Sequence, residues 1–287
     1  MTAITEVAPG RAPWFAGTWT PLSRRAFLAL VGRDLTVLRK ELGTFVARTV
    51  MQPLLLMFVF TYVFPKIGQG IGSAGDPETQ QGAFSTLLVG GVIASAMIFQ
   101  GIQAVALPMV QDFGFTREIE DRVLAPIPVE GLALQKVASG AIQGLLAAAV
   151  VVPLAFVVPA SDVHLDLNWP VLVTFLPLAA VLGASLGLAV GTRVEPRQVP
   201  LVFSLLVLPM NFLGAVFYPW QGLDPLPWLK WGVLVNPLVY LSEGVRLGLT
   251  GDTVPHMNGV VIYLACLGFT AVLLRVGIKG FRRRVLA

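Results

Sequence analysis

Apolar residues in this chain gather into six long blocks, separated by shorter stretches that hold most of the charge, proline and glycine. The blocks run Phe45–Phe64, Phe84–Val110, about Gly131–Val158, about Trp169–Thr192, about Val199–Tyr218 and about Gly259–Val276. Each is long enough for a helix to cross a hydrocarbon layer about 30 Å thick. Ahead of the first block the pattern changes. Phe27, Val31, Leu35, Leu38 and Leu42 recur at helical spacing, with Arg25, Arg33, Lys40 and Glu41 largely off that stripe. Such a segment reads as an amphipathic helix in the membrane interface, over 23–43, or else as an extension of the first span. The pattern therefore predicts an all-α integral membrane protein. A polar tail occupies 1–22, a six-span domain 44–277, and a basic tail 278–287.

Composition sharpens the class. Of 287 residues 55% are hydrophobic and only 13% charged, with a mean hydropathy of +0.77. Six spans leave no room for a sizeable soluble catalytic domain. The 20 Lys and Arg residues are placed unevenly: with the N-terminus on the cytoplasmic side, 17 of them fall inside, and only Lys66, Lys230 and Arg246 outside. Positive charge avoids translocated loops, so both termini are expected in the cytoplasm of a bacterial-type plasma membrane. The basic balance then serves anionic lipids of the inner leaflet, and nucleic acid is not an expected partner.

Little in the chain points to catalysis. Cys266 lies alone in an apolar run, and His164 and His256 are far apart, so neither a disulfide framework nor a metal site is expected. Gly70 to Gly75 matches G-x-G-x-x-G but lacks the flanking strand and helix of a nucleotide fold, and reads as an outer loop. No G-x-x-x-x-G-K-[ST] is present, so the chain cannot cradle ATP in a P-loop by itself, and no cofactor is expected on it. The middles of spans two to five carry no ionisable residue, which weighs against an ion-driven carrier. Gly183, Gly187 and Gly191, and Gly140, Gly144 and Ala148, form small-residue stripes that fit bundle packing or, less well, a dimer seam.

Two connections stand out. The loop after span two is dense in charge from Arg117 to Arg122, and Pro126 and Pro128 would end a short helix begun after Thr116. It is either a solvated loop or a handle for a soluble partner. The outer segment after span five holds Trp220, Trp228 and Trp231, suited to the headgroup level, and many prolines. It reads as short re-entrant helices in the outer leaflet. Glu243 and Arg246 stand three residues apart there and form a structural ion pair in this reading.

These two segments resemble the type-2 ABC transporter (ABC-2) permeases. Arg117-Glu118-Ile119-Glu120-Asp121-Arg122-Val123-Leu124-Ala125-Pro126 is similar to the family's R-E-x-E segment after span two, with Asp121-Arg122 where Gly-Thr is usual. Phe217-Tyr218-Pro219, Leu226-Pro227-Trp228-Leu229, Asn236-Pro237-Leu238, Glu243 and Arg246 resemble its second mark. The resemblance covers nearly all of the chain after Arg24 and leans toward drug- and lipid-exporting permeases. It implies a permease subunit that pairs with a second copy or paralogue and binds two ATPase subunits. It implies a coupling helix with contacts at Arg117, Glu118, Glu120, Asp121 and Arg122. It also implies a substrate path between spans two and five, with Phe99, Gln100, Gln103, Asn211 and Phe212 as candidates. The alternatives are a secondary carrier or channel without an ATPase, and an integral membrane enzyme.

Overall fold

The computed structural model describes residues 20–67, 77–114, 127–158, 166–251 and 254–285, all helical or connecting, with no strand among them. The main helices, short turns aside, are α1 (Pro21–Lys40), α2 (Leu42–Met57, continued by a π-helical stretch Phe58–Val63), α3 (Pro77–Gly114), α4 (Val129–Val151), α5 (Trp169–Gly191), α6 (Val199–Phe212), α7 (Pro227–Gly232), α8 (Pro237–Thr250) and α9 (Gly259–Val285). The starts of α1, α5 and α8 carry side-chain caps. At α1, Ser23 N donates to Thr20 Oγ1 at 3.1 Å while Thr20 N donates to Ser23 Oγ at 2.8 Å, a capping box. Asn168 and Asn236 cap α5 and α8, each followed by a proline in the first turn, where a missing N–H costs nothing.

Among the described residues five helices are long and apolar enough to cross a membrane: those covering Leu42–Val63, Phe84–Phe113, Val129–Val151, Trp169–Gly191 and Gly259–Val285. The fifth apolar block, expected as a span over 199–218, differs. Its helix has 14 residues, about 21 Å at 1.5 Å per residue, short of a full crossing. After Phe212 the backbone leaves the helix and reaches Ala215 with φ of 52°. The reason is a competing demand for its carbonyls, described below.

α3 is the axis of the bundle. Of its apolar stretch 89% is buried, against 22% for α2 and for α9, which lie at the periphery. α5 packs along α3 through its glycines. A Cβ on Gly183, Gly187 or Gly191 would sit 3.0, 2.9 and 2.9 Å from the Cα atoms of Ile98, Ile102 and Ala106. The stripe is thus an intramolecular seam, where the absent side chain lets two backbones touch. α4 closes the third side, with Gly140 and Gly144 against Ala184 and Ala180 of α5.

α1 and α2 part at Glu41, where φ and ψ of −107° and 19° break the helix. Phe27, Val31, Leu35 and Leu38 on α1 are half-buried, and Leu28 and Val37 on its other side are exposed. Gln135 Nε2 of α4 donates to Asp34 Oδ2 at 2.7 Å, tying α1 to the bundle. Glu130 and Arg282 (3.8 Å) and the Arg284-to-Val194 hydrogen bond (3.4 Å) place the start of α4, the end of α5 and the end of α9 at that same end.

The opposite end is organised by α8. Arg246 and Glu243 are 0% exposed and pair at 3.0 Å. Arg246 also donates to the carbonyls of Leu87 (3.1 Å), Ala215 and Val216 (3.0 Å). Glu243 accepts from the amides of Trp220 (2.9 Å) and Met257 (2.8 Å). Ser242 donates to Gly214 O at 2.8 Å and Asn236 to Met210 O at 2.9 Å. Side chains of α8 and its cap thereby satisfy the carbonyls of Met210, Gly214, Ala215 and Val216 and the amide of Trp220. Unsatisfied groups would each cost several kcal/mol in an apolar medium.

Two outcomes follow. Gly187→Val should lower the thermal stability of the detergent-solubilised protein by about 1–3 kcal/mol through overpacking, whereas Gly268→Val, where a Cβ meets nothing within 4 Å, should melt like the wild type. Arg246→Met should cost about 3–5 kcal/mol or abolish folding, as expected when one partner of a buried ion pair is removed; Glu243→Gln, which can still accept and donate, should cost less. Equal melting of Arg246→Met and wild type would refute this account of the α8 end.

Candidate functional site

Polar side chains that enter the apolar bundle converge between α1, α2, α3 and α4. At the end of the bundle where α1 lies, a cavity of about 610 Å³ is bordered by Arg33, Asp34 and Glu41 of α1 and its junction, Arg48 of α2, Gln103 and Asp112 of α3, and Lys136 and Gln143 of α4. Asp112 and Lys136 are both under a tenth exposed and pair at 3.3 Å, tying the last turn of α3 to the first turns of α4. Burial of such a pair demands compensation at close range, and each is the other's compensation.

Beside it, sharing Arg48 and Gln103, is a small pocket lined also by Thr49, Gln52, Ser95, Phe99 and Gln100. Thr49 Oγ1 donates to Gln100 Oε1 at 3.3 Å, and Gln100 Nε2 donates to Gln143 Oε1 at 3.4 Å. Arg48, Gln52 and Phe60 follow one another on α2 at spacings of four and eight residues, so they share a helix edge. Phe60 in turn lies 5.0 Å from Phe217, which lies 6.0 Å from Phe212, ring centre to ring centre. The α2 edge is thus cationic and amide-rich at one end and aromatic at the other.

The structure brings Phe99, Gln100 and Gln103 together in this pocket; Phe99 and Gln100 are 5% and 4% exposed, and Gln103 is half-buried. Asn211 and Phe212 do not border it. They end α6, where Asn211 is buried with no partner on its Oδ1 and Phe212 is 62% exposed. The two groups expected on one path are separate, linked only along the α2 edge. Arg117, Glu118, Glu120, Asp121 and Arg122 lie outside the described residues, as do Gly70 to Gly75 and His164. Glu243 and Arg246 sit at the other end of the bundle, in the network that holds the unwound segment.

Sequence reasoning missed the Asp112–Lys136 pair. Each residue reads as a charge flanking a loop, and only the hairpin of α3 and α4 puts them face to face. It also missed Gly183-Ala184-Ser185-Leu186-Gly187, which has the spacing of a nucleophile elbow. Ser185 lies mid-helix at 0% exposure with its hydroxyl given to Val181 O at 2.6 Å, so this is helix packing and not a nucleophile. Cys266 is fully buried, and His256 Nδ1 lies 3.0 Å from Met257 O. Among the described residues no group of three His, Cys, Asp or Glu side chains is placed to hold a metal.

Comparison with known proteins agrees with this architecture of long apolar helices. The family model described as ABC-2 type transporter matches residues 25–250. The chain is similar to the inner membrane transport permease YadH of Escherichia coli strain K12, with 28% identity over 250 residues that cover 79% of this chain and 90% of that protein. The YadH proteins of Escherichia coli O157:H7 and Shigella flexneri match with the same identity and coverage. With the family model spanning most of the chain and several membrane-length helices behind it, the protein belongs to the ABC-2 type transporter family and is a multi-pass transmembrane permease.

Proposed function

We propose that this chain is the membrane subunit of an ATP-driven exporter for an amphipathic, drug-like or lipid-like substrate, and that it works as a pair of permeases docked on two ATPase subunits that carry the ATP and magnesium. ABC-2 permeases generally work with an ATPase partner. The observation that carries the substrate class is the graded edge of α2. A cavity bordered by Arg33, Arg48 and Gln103 leads past Gln100 toward Phe60, Phe217 and Phe212. A molecule with a polar head and an apolar body finds matching surface at both ends of that edge.

Six crossings, with both termini cytoplasmic, fit the placement of charge. α6 starts beside the cytoplasmic end of α5, and its unwound continuation reaches Arg246 and Gly91 at the outer end. Short helix and satisfied coil together replace one full span. The stripe Leu201, Leu205, Leu208 and Phe212 on α6 is exposed along its length and is the face offered to the second permease.

The coupling helix is assigned to the segment around Arg117 to Arg122, between α3 and α4. The Asp112–Lys136 pair locks the two helix ends that flank it, so a displacement imposed there by the ATPase would move α3 and α4 as a unit. Inverting a 1:99 ratio of inward and outward states takes about 5.5 kcal/mol of differential binding, a scale that ATP-driven closure of an ATPase dimer can deliver.

Replacing Glu118 and Glu120 with Lys should weaken co-purification of the ATPase and uncouple its hydrolysis from transport. Gln100→Leu with Gln103→Leu should leave the ATPase bound but raise the substrate concentration for half-maximal stimulation about tenfold, the scale of one or two lost hydrogen bonds. Unchanged co-purification and coupling in the first variant would remove the coupling assignment. Transport that persists with no ATPase present would favour the carrier reading.

A further inference from the structure

The end of the bundle that holds α1 carries a second cavity, which the substrate path does not use. It measures about 610 Å³ and is bordered by Thr192 and Arg193 from the end of α5 and by Arg275, Val276, Lys279, Gly280, Arg283 and Arg284 from α9. Five of these eight residues are cations and none is an acid. Arg284 is engaged: it donates to Val194 O at 3.4 Å and lies 5.4 Å from the Phe113 ring. Arg193, Arg275, Lys279 and Arg283 are all exposed, and among the described residues none has a carboxylate within 4 Å. Two other basic residues on this end do have acids beside them, Arg282 with Glu130 and Lys136 with Asp112.

The cluster is held rigidly. A Cβ on Gly280 would lie 2.6 Å from Thr192 Oγ1, and one on Gly277 would lie 2.8 Å from Leu188 Cγ, so α9 rests directly on the end of α5. The backbone positions of the four cations left without a carboxylate among the described residues are therefore fixed around one concavity. Like charges fixed around one concavity repel, and an anion bound among them removes the penalty.

The rest of the α9 face tells which anion. Arg275, Lys279 and Arg283 lie four apart, and the same stripe continues backward through Val272, Gly268, Leu264 and Val260 at spacings of three or four. Val272, Leu264 and Val260 are 60%, 64% and 68% exposed, and beside Gly268 there is open space. One helix face is therefore an uncovered apolar strip that ends in a basic cavity. We propose that this face binds an anionic phospholipid, its phosphodiester among Arg193, Arg275, Lys279 and Arg283 and its chains along Val272, Gly268 and Leu264. The site rests on the proposed topology only for its leaflet, which is the inner one. Basic pockets between spans at the cytoplasmic side suit phospholipid headgroups, and each Lys or Arg contributes roughly fivefold in affinity.

The test uses the full chain in a non-ionic detergent, titrated separately with phosphatidylglycerol, phosphatidylcholine and inorganic phosphate, with bound lipid read by native mass spectrometry. The wild type should retain phosphatidylglycerol at least about tenfold better than phosphatidylcholine. The variant Arg275→Gln, Lys279→Gln, Arg283→Gln should lose about a hundredfold of that affinity at unchanged melting temperature. An equally neutralised control, Arg24→Gln, Arg25→Gln, Arg39→Gln, should lose little. Leu264→Gln with Val272→Gln should weaken lipid binding too. Retention of phosphatidylglycerol by the α9 variant at wild-type level overturns the proposal, as does equal retention of phosphatidylcholine. Displacement of the lipid by inorganic phosphate at matching concentration would make this a soluble-anion site. Loss of ATPase binding with lipid binding unchanged would make it a protein contact. A reporter fused to the C-terminus reads topology separately, so a wrong leaflet and a missing lipid site give different results.

Discussion

Backbone polar groups at membrane depth have no water to turn to, and that constraint shapes this molecule most where a helix stops early. α6 ends at Phe212, and the carbonyls of Met210, Gly214, Ala215 and Val216 are left without their usual intrahelical donors. α8 supplies the replacements from Asn236, Ser242 and Arg246. Glu243 both balances Arg246 and receives the amides of Trp220 and Met257. A buried ion pair is by itself weak evidence for stability. Here its value lies in the number of main-chain groups it serves, because each would otherwise be orphaned.

The same network fixes the central helix. Arg246 reaches Leu87 O on α3, and its stem lies so close to Gly90 that a Cβ there would meet Arg246 Cγ at 2.6 Å. At the other end Asp112 of α3 is bound to Lys136 of α4. Between these anchors the glycines of α5 hold α3 at backbone contact. α3 is therefore a rod clamped at both ends, and close-packed seams move as units rather than deform. Under the proposed function, force applied beyond Asp112 passes along α3 to the outer network instead of dissipating in loose loops.

How much of this is legible in sequence depends on which physical quantity decides each feature. Hydropathy measures side-chain transfer, and the blocks at 84–110, 169–192 and 259–276 lie within α3, α5 and α9 to within a residue or so. The block at 199–218 is equally apolar, yet its second part is not helical. Its fate turns on carbonyl acceptors and on donors some 25 to 30 residues later, which hydropathy does not register. Gly214 and Pro219 were the available signal. The pairing of Glu243 with Arg246 was readable because three-residue spacing on a helix brings side chains together regardless of the fold. Asp112 and Lys136 were not readable as partners, because their meeting depends on how the hairpin closes. Gln100 and Gln103 share a helix and so share a pocket; Asn211 and Phe212 sit on another helix whose rotation no sequence pattern sets.

The two ends of the bundle treat charge in opposite ways, and the difference has a mechanical meaning. At the α8 end Glu243 and Arg246 are withdrawn from solvent and held by several hydrogen bonds, so any rearrangement there must break more than one at once. At the other end most cations of α9 are exposed and have no carboxylate within 4 Å among the described residues. Surface charges in high dielectric exchange partners at little cost, about 1 kcal/mol or less. Under the proposed topology, conformational change should then concentrate at the inner end, with the Arg246 network as its fixed point. That division matches a permease driven from the cytoplasmic side: the pivot lies where the backbone cannot be released, and motion grows toward the end where a partner and lipids can trade contacts.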